Sequence, residues 1–324
     1  MWVALVCGLF LCLMVKLFFY DDDTLRDSDD SHFSALFTVA KRLEKLYRGG
    51  RVYVGIQIPD LDSASRRNVD LVLVTNEEVV VISVKNVSGV VSLDEDGNWI
   101  CTGKHHKTEC IQNPVAETKH LVSILEEYLE QRGVAIPEGY LSFKVVCPNP
   151  FFSPIHSDSF PPEVITYDQW TRLKPEHSKL SSGWIKGILH GRKDKMQESF
   201  REKLNSVLGT APISDRLELR GSKYVLGEFI EFKGKPDDLQ KLRKIKRSKV
   251  SHLSVRKISM FGFANSTVQV LYAPRDYRAE ESLGPSEWQE VTVRSSTEVV
   301  FQPQNSIKHH KYKLSSVVSM SLSA

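Results

Sequence analysis

Residues 68–86 read NVDLVLVTNEEVVVISVKN: two apolar, β-branched runs, 68–74 and 78–84, separated by Thr75-Asn76-Glu77. Runs of this length broken by a polar triplet predict two strands joined as a hairpin. Asp70 opens the first strand and Lys85 follows the second, so antiparallel pairing brings both to one end of the hairpin. A carboxylate and an ammonium converging in this way suit phosphodiester chemistry. The carboxylate can hold a divalent cation such as Mg²⁺ that activates a water, while the lysine orients the nucleophile or offsets developing charge. The spacing alone has little specificity, because many strand pairs end in an acid and a base.

Working outward, Phe33, Leu36, Phe37, Ala40, Leu43 and Leu46 recur at a helical period, and Gly49-Gly50 ends that helix. A strand over 51–58 follows, closed by Pro59. Beyond the hairpin, 89–93 predicts a further strand running into the turn Asp94-Glu95-Asp96-Gly97. The clearest helix is 113–133, with Val115, Leu121, Val122, Leu125, Tyr128 and Leu129 on one face, Pro114 in its first turn and Gly133 at its end. Strands at 141–147 and 164–166 and a helix at 197–208 complete an α/β pattern with a mixed sheet and flanking helices. From Leu217 the texture changes to short strands at 223–232, 250–258, 267–272, 290–293 and 298–301, interrupted by a helix at 236–245. That predicts a small β-rich barrel or sandwich.

At the hairpin the chain resembles the nuclease-related domain (NERD) family, a branch of the restriction-endonuclease-like PD-(D/E)xK fold. The resemblance rests on the Asp70 strand, the run from Val80 to Asn86 followed by Gly89, then Trp99, Asn113-Pro114, the strand 143–146 and Ile165-Thr166-Tyr167-Asp168, and covers about 35–185. It implies a divalent-metal nuclease site, but the chain departs from the family pattern. Ser83 occupies the acid position of acid-x-Lys-Asn. Ala35-Leu36-Phe37 stands where a helical Glu is usual, and Glu117 stands where a Gln is usual. A hydroxyl brings no charge to a hard cation. The expectation is therefore a degenerate site acting as a binding or scaffold module. The alternative is an Mg²⁺-dependent nuclease of DNA or RNA, with Asp70 as metal ligand, Lys85 as activator and Glu117 as a relocated acid. A shared metal would need such an acid within about 4–5 Å of Asp70 and Lys85.

Residues 1–20, MWVALVCGLFLCLMVKLFFY, carry one charge, Lys16. A 20-residue helix rises about 30 Å, enough to cross a hydrocarbon core. A cleaved signal peptide would want a basic start and small residues before the cut, and the stretch has neither. An uncleaved single-pass anchor in membrane lipid is the reading favoured, with Lys16 and Arg26 after the span placing the rest in the cytosol. Residues 21–32, containing DDDTLRDSDD, read as an acidic solvated spacer, 33–210 as the NERD-like domain and 215–324 as the β-rich domain.

The 324 residues are 41% hydrophobic and 26% charged, which excludes collagen-like, disordered and disulfide-scaffold classes. The net charge of +3 conceals a separation, since 19 Lys/Arg face 12 Asp/Glu from Asp215 onward. Much of that excess is the run KLRKIKRSK, residues 241–249. Its cations Lys241, Arg243, Lys244, Lys246, Arg247 and Lys249 are candidates for an anionic partner, nucleic acid or anionic lipid. Cys101, His105, His106 and Cys110 offer zinc ligands at spacings unlike the usual C-x2-C pairs, and otherwise read as a loop. His309-His310 sits near a C-terminal tail read as polar, and the pair itself is read as exposed. No nucleotide-binding glycine loop, G-x-S-x-G or H-E-x-x-H occurs.

Overall fold

The computed structural model of the chain describes residues 21–60, 63, 65–103, 108–156, 159–173, 196–258, 267–275, 288–304 and 306–323. Helix α1 (Asp21–Leu46) leads into β1 (Arg51–Asp60), β2 (Ser65–Val74) and β3 (Val79–Val84). The predicted hairpin is present, with Leu71 paired to Ile82 and Val74 to Val79. Thr75 closes its turn, its amide donating to the Glu78 carbonyl at 2.9 Å. A small sheet follows from β4 (Gly89–Leu93), β5 (Trp99–Thr102) and β6 (Thr108–Ile111). Then come α2 (Pro114–Glu130), β7 (Leu141–Val146), β8 (Phe152–Pro154), β9 (Val164–Ile165), α3 (Tyr167–Arg172) and α4 (Glu198–Gly209).

The main sheet has the order β1-β2-β3-β7-β9, antiparallel in its first two pairings and parallel in the last two. Both of its faces are covered, so all six residues of β3 are buried and its sequence is apolar without alternation. One face packs Val72, Val79 and Val81 against α2 and α4. The other packs Leu71, Leu73, Val80 and Ile82 against Phe33, Leu36, Phe37 and Leu43 of α1. Helix α2 begins where it does because the Asn113 side chain accepts from the amides of Val115 and Ala116 at 3.1 and 3.0 Å, with Pro114 at its first turn. The small sheet, ordered β6-β5-β4-β8, closes around Trp99, Cys101, Phe152 and Phe160. The strand 89–93 thus leaves the hairpin sheet and pairs elsewhere.

The C-terminal part consists of β10 (Asp215–Leu219), β11 (Lys223–Lys233), α5 (Pro236–Leu242), β12 (Val250–Ile258), β13 (Thr267–Pro274), β14 (Gln289–Arg294), β15 (Glu298–Pro303), β16 (His310–Lys313) and β17 (Val317–Ser321). These strands form one curled antiparallel sheet, a half-barrel, in the order β14-β13-β12-β17-β10-β11-β15-β16. The segment read as a polar tail is therefore structural. β17 lies between β12 and β10, and Val317, Met320 and Leu322 are buried.

The two parts share a core through α1, whose far side meets β11. The rings of Phe37 and Tyr224 are 4.6 Å apart, and Phe33 to Leu43 join one apolar cluster with Leu217, Val225, Leu226 and Phe301. The link 211–214 is pinned to β1, with the Gln57 amide donating to Pro212 at 2.7 Å and the Ser214 amide to Gly55 at 3.1 Å. The backbone of residues 21–32, the stretch read as a spacer, is helical and runs without a break into the rest of α1. The apolar stretch 1–20 lies outside the described residues. Among those described, no helix is long and apolar enough to cross a membrane.

Candidate functional site

The register of the hairpin puts Asp70 opposite Ser83, and the Val84 amide donates to Asp70 Oδ2 at 2.8 Å. On its other side, Asp70 faces Gly55, which sits between the pairs Val54–Leu71 and Ile56–Val69 with a φ of +66°. Lys85 emerges just past β3, its amide held by the Val146 carbonyl at 2.9 Å. Glu117 stands in the first turn of α2, where its amide donates to Asn113 at 3.0 Å. Its Oε2 accepts from Lys85 Nζ at 2.9 Å. The three candidate residues Asp70, Lys85 and Glu117 therefore line one cavity of about 330 Å³, together with Ser83.

His32 of α1, Arg66 and Asn68 of β2, His120 of α2 and Gln304 just past β15 add further polar groups to the lining. Sequence reasoning singled out none of these. His120 had a signal, since it lies one helical turn beyond Glu117 and shares its face. Arg67 also reaches the cavity but is engaged with buried Asp60, Nε to Oδ2 at 3.0 Å. The Asp70 carboxyl is raised above its ordinary pKa because burial disfavours its charged form. The field of His32, the Val84 amide and Lys85 oppose that rise, while Glu117 adds to it.

This donor set does not suit a hard divalent cation. Mg²⁺ asks for several oxygen ligands in near-octahedral array, carboxylates foremost. Among the described residues lining the cavity, Asp70 is the lone strand carboxylate, Ser83 is buried with only a hydroxyl to offer, and Glu117 is already bound by Lys85. Among the described residues no three His, Cys, Asp or Glu side chains are grouped to hold a metal.

Residues 32–151 match the family model of the nuclease-related domain. The match begins at His32 and spans the cavity residues named above apart from Gln304, and it ends sooner than the resemblance to about 185 suggested. It covers the nuclease-related segment alone, leaving the C-terminal half-barrel outside it. No curated protein and no solved structure matches the chain.

Two other candidates change in character. His105 and His106 lie outside the described residues, while Cys101 and Cys110 sit on paired strands β5 and β6 rather than in a loop. Cys101 is buried against Trp99, and burial pushes its thiol up to about 11, which opposes thiolate ligation. In the basic run, Arg247 is a structural residue. Its Nε binds Asp215 at 3.1 Å, it pairs with Glu228, and it donates to Ser323 Oγ at 2.9 Å. Lys241 donates to the Thr292 carbonyl at 3.2 Å. Arg243, Lys244, Lys246 and Lys249 are exposed, with no ion pair among the described residues.

Proposed function

We propose that the chain is a binding or scaffold module that uses a degenerate nuclease-related cleft to hold a phosphodiester backbone without cutting it. The observation carrying this reading is Ser83 buried beside Asp70 where a second strand carboxylate would complete a metal site. What remains suits an anion. Arg66, His32 and His120 face the cavity, and Lys85 can exchange Glu117 for a phosphate oxygen. Asp70, held by the Val84 amide, keeps the strand ends in place.

A second reading, the metal-dependent nuclease, draws support from Glu117, which reaches Lys85 from α2 as a relocated acid would. In either reading residues 1–20 would fix the molecule in a membrane, with the remainder in the cytosol. Fractionation of the chain with and without 1–20 tests that part, and a protein that stays soluble with the segment intact contradicts it.

Binding is measured by fluorescence anisotropy with labelled single- and double-stranded DNA and RNA in the presence of EDTA. The expected result is metal-independent binding that weakens with salt and with Arg66→Ala. Binding that appears only with Mg²⁺ or Mn²⁺ would reject the reading.

A further inference from the structure

Strand β11 carries an irregularity beside the basic run. Phe229 pairs with Phe301 and Glu231 with Val300, so Ile230 is an extra, unpaired residue. A bulge of this kind re-aims the side chain it inserts, and Ile230 is 39% exposed. It stands at a groove of about 550 Å³ between β11 and the segment following α5. The floor is apolar, formed by Phe229, Leu242 and Ile245, all buried, and by Phe232, whose ring lies 4.9 Å from that of Phe229.

The rim is cationic. Arg243 and Lys246 line it, and Lys244 and Lys249 flank it from the same segment. Among the described residues the acids beside it are already matched, Glu231 with Lys233 at 3.2 Å and Glu228 with Arg247. Arg247 is tied into the sheet by Asp215 and leaves its neighbours to face outward. Apolar floor, exposed aliphatic bulge and cations unmatched among the described residues together describe a receptor for an amphiphile of negative charge.

We infer that this groove binds an anionic phospholipid, its acyl chain along Ile230, Phe232 and Ile245 and its phosphate between Arg243 and Lys246. Charge complementarity and the apolar floor both contribute, and neither depends on the nuclease-related cleft. Nucleic acid fits less well. A base would need an open aromatic face for stacking, and the most exposed apolar side chain here is the isoleucine of the bulge.

The full chain is titrated calorimetrically with dihexanoyl-phosphatidylserine, dihexanoyl-phosphatidylcholine, inorganic phosphate and a single-stranded oligonucleotide. Residues 1–20 are present in every variant, so differences between variants isolate the groove. Phosphatidylserine should bind more tightly than phosphatidylcholine or phosphate. The double change Arg243→Glu and Lys246→Glu should weaken it roughly tenfold or more, and Ile230→Ser several-fold. Unchanged thermal melting of these surface variants would show that the fold is intact. The inference is overturned if phosphatidylserine fails to bind, if phosphatidylcholine binds as tightly, or if both variants bind like the parent. It is equally overturned if the oligonucleotide depends on the same cations and binds more tightly than the lipid.

Discussion

The Lys85 ammonium lies 2.9 Å from the Glu117 carboxylate, joining the end of β3 to the first turn of α2 across the cavity that Asp70 also lines. Glu117 is more than half exposed, so the pair contributes little to stability. On the proposed binding reading its consequence is for affinity, because it occupies the cation an incoming phosphate would use. Glu117→Gln should cost less than about 1 kcal/mol in denaturant unfolding. The same change should tighten nucleic-acid binding and steepen its salt dependence.

Rebuilding the absent acid is a direct test of the donor set. Ser83→Asp places a second carboxylate beside Asp70, and Mn²⁺ should then raise the melting temperature through linkage to the folded state. The parent chain should show no such rise. An equal rise in the parent would mean that Asp70 and Glu117 already suffice for a metal.

Asp70 also predicts a pH effect. Its carboxyl is raised above its ordinary value by burial, so the folded state holds a proton that the unfolded chain releases sooner. That contribution is therefore full below the unfolded carboxylate value and is lost as pH rises from there through the raised folded value. Asp70→Asn, which keeps an oxygen for the Val84 amide, should stabilise the protein near neutral pH by about 1–3 °C in melting temperature. The gain should vanish in acid, as thermal scans across pH would show.

The cleft was partly readable because its two central residues sit on one hairpin, where a period of two fixes which strand ends meet. The face of α2 was readable for a similar local reason. Leu121, Leu125, Tyr128 and Leu129 recur at helical spacing and are buried. What was not readable depends on distant partners. Nothing near Arg247 marks it as structural, since Asp215 and Glu228 arrive from other strands. β17 reads VVSMS, too polar to announce a central strand, and it pairs with β10 about a hundred residues away. His32 was hidden by reading residues 21–32 as a spacer.

Asp215 is the hub of that distant pairing. Fully buried, it accepts from the Phe229 amide at 2.8 Å, the Ser323 amide at 2.6 Å and Arg247 Nε at 3.1 Å. Asp215→Ala should strand Arg247 and two amides and cost about 3–5 kcal/mol. Arg247→Ala should be nearly as damaging, whereas Lys244→Ala should be close to neutral. Denaturant unfolding of the three variants checks the ranking.

His252 makes the half-barrel sensitive to acid. Burial lowers its pKa and Arg216 adds to the effect, against an opposing contribution from Glu218. Its Nδ1 lies 3.1 Å from Ser321 Oγ of β17. The folded state resists a proton that the unfolded chain accepts, so stability is full above the ordinary histidine value and declines as pH falls through it. His252→Gln should flatten that decline between neutral pH and mild acid in melting curves.

The most direct measurement incubates the chain with single- and double-stranded DNA and RNA in Mg²⁺ or Mn²⁺, following both retention and strand length. The account predicts bound, intact nucleic acid in the parent. Cleavage by the parent that disappears in Lys85→Ala would contradict it and establish a working nuclease at the Asp70–Lys85–Glu117 cleft.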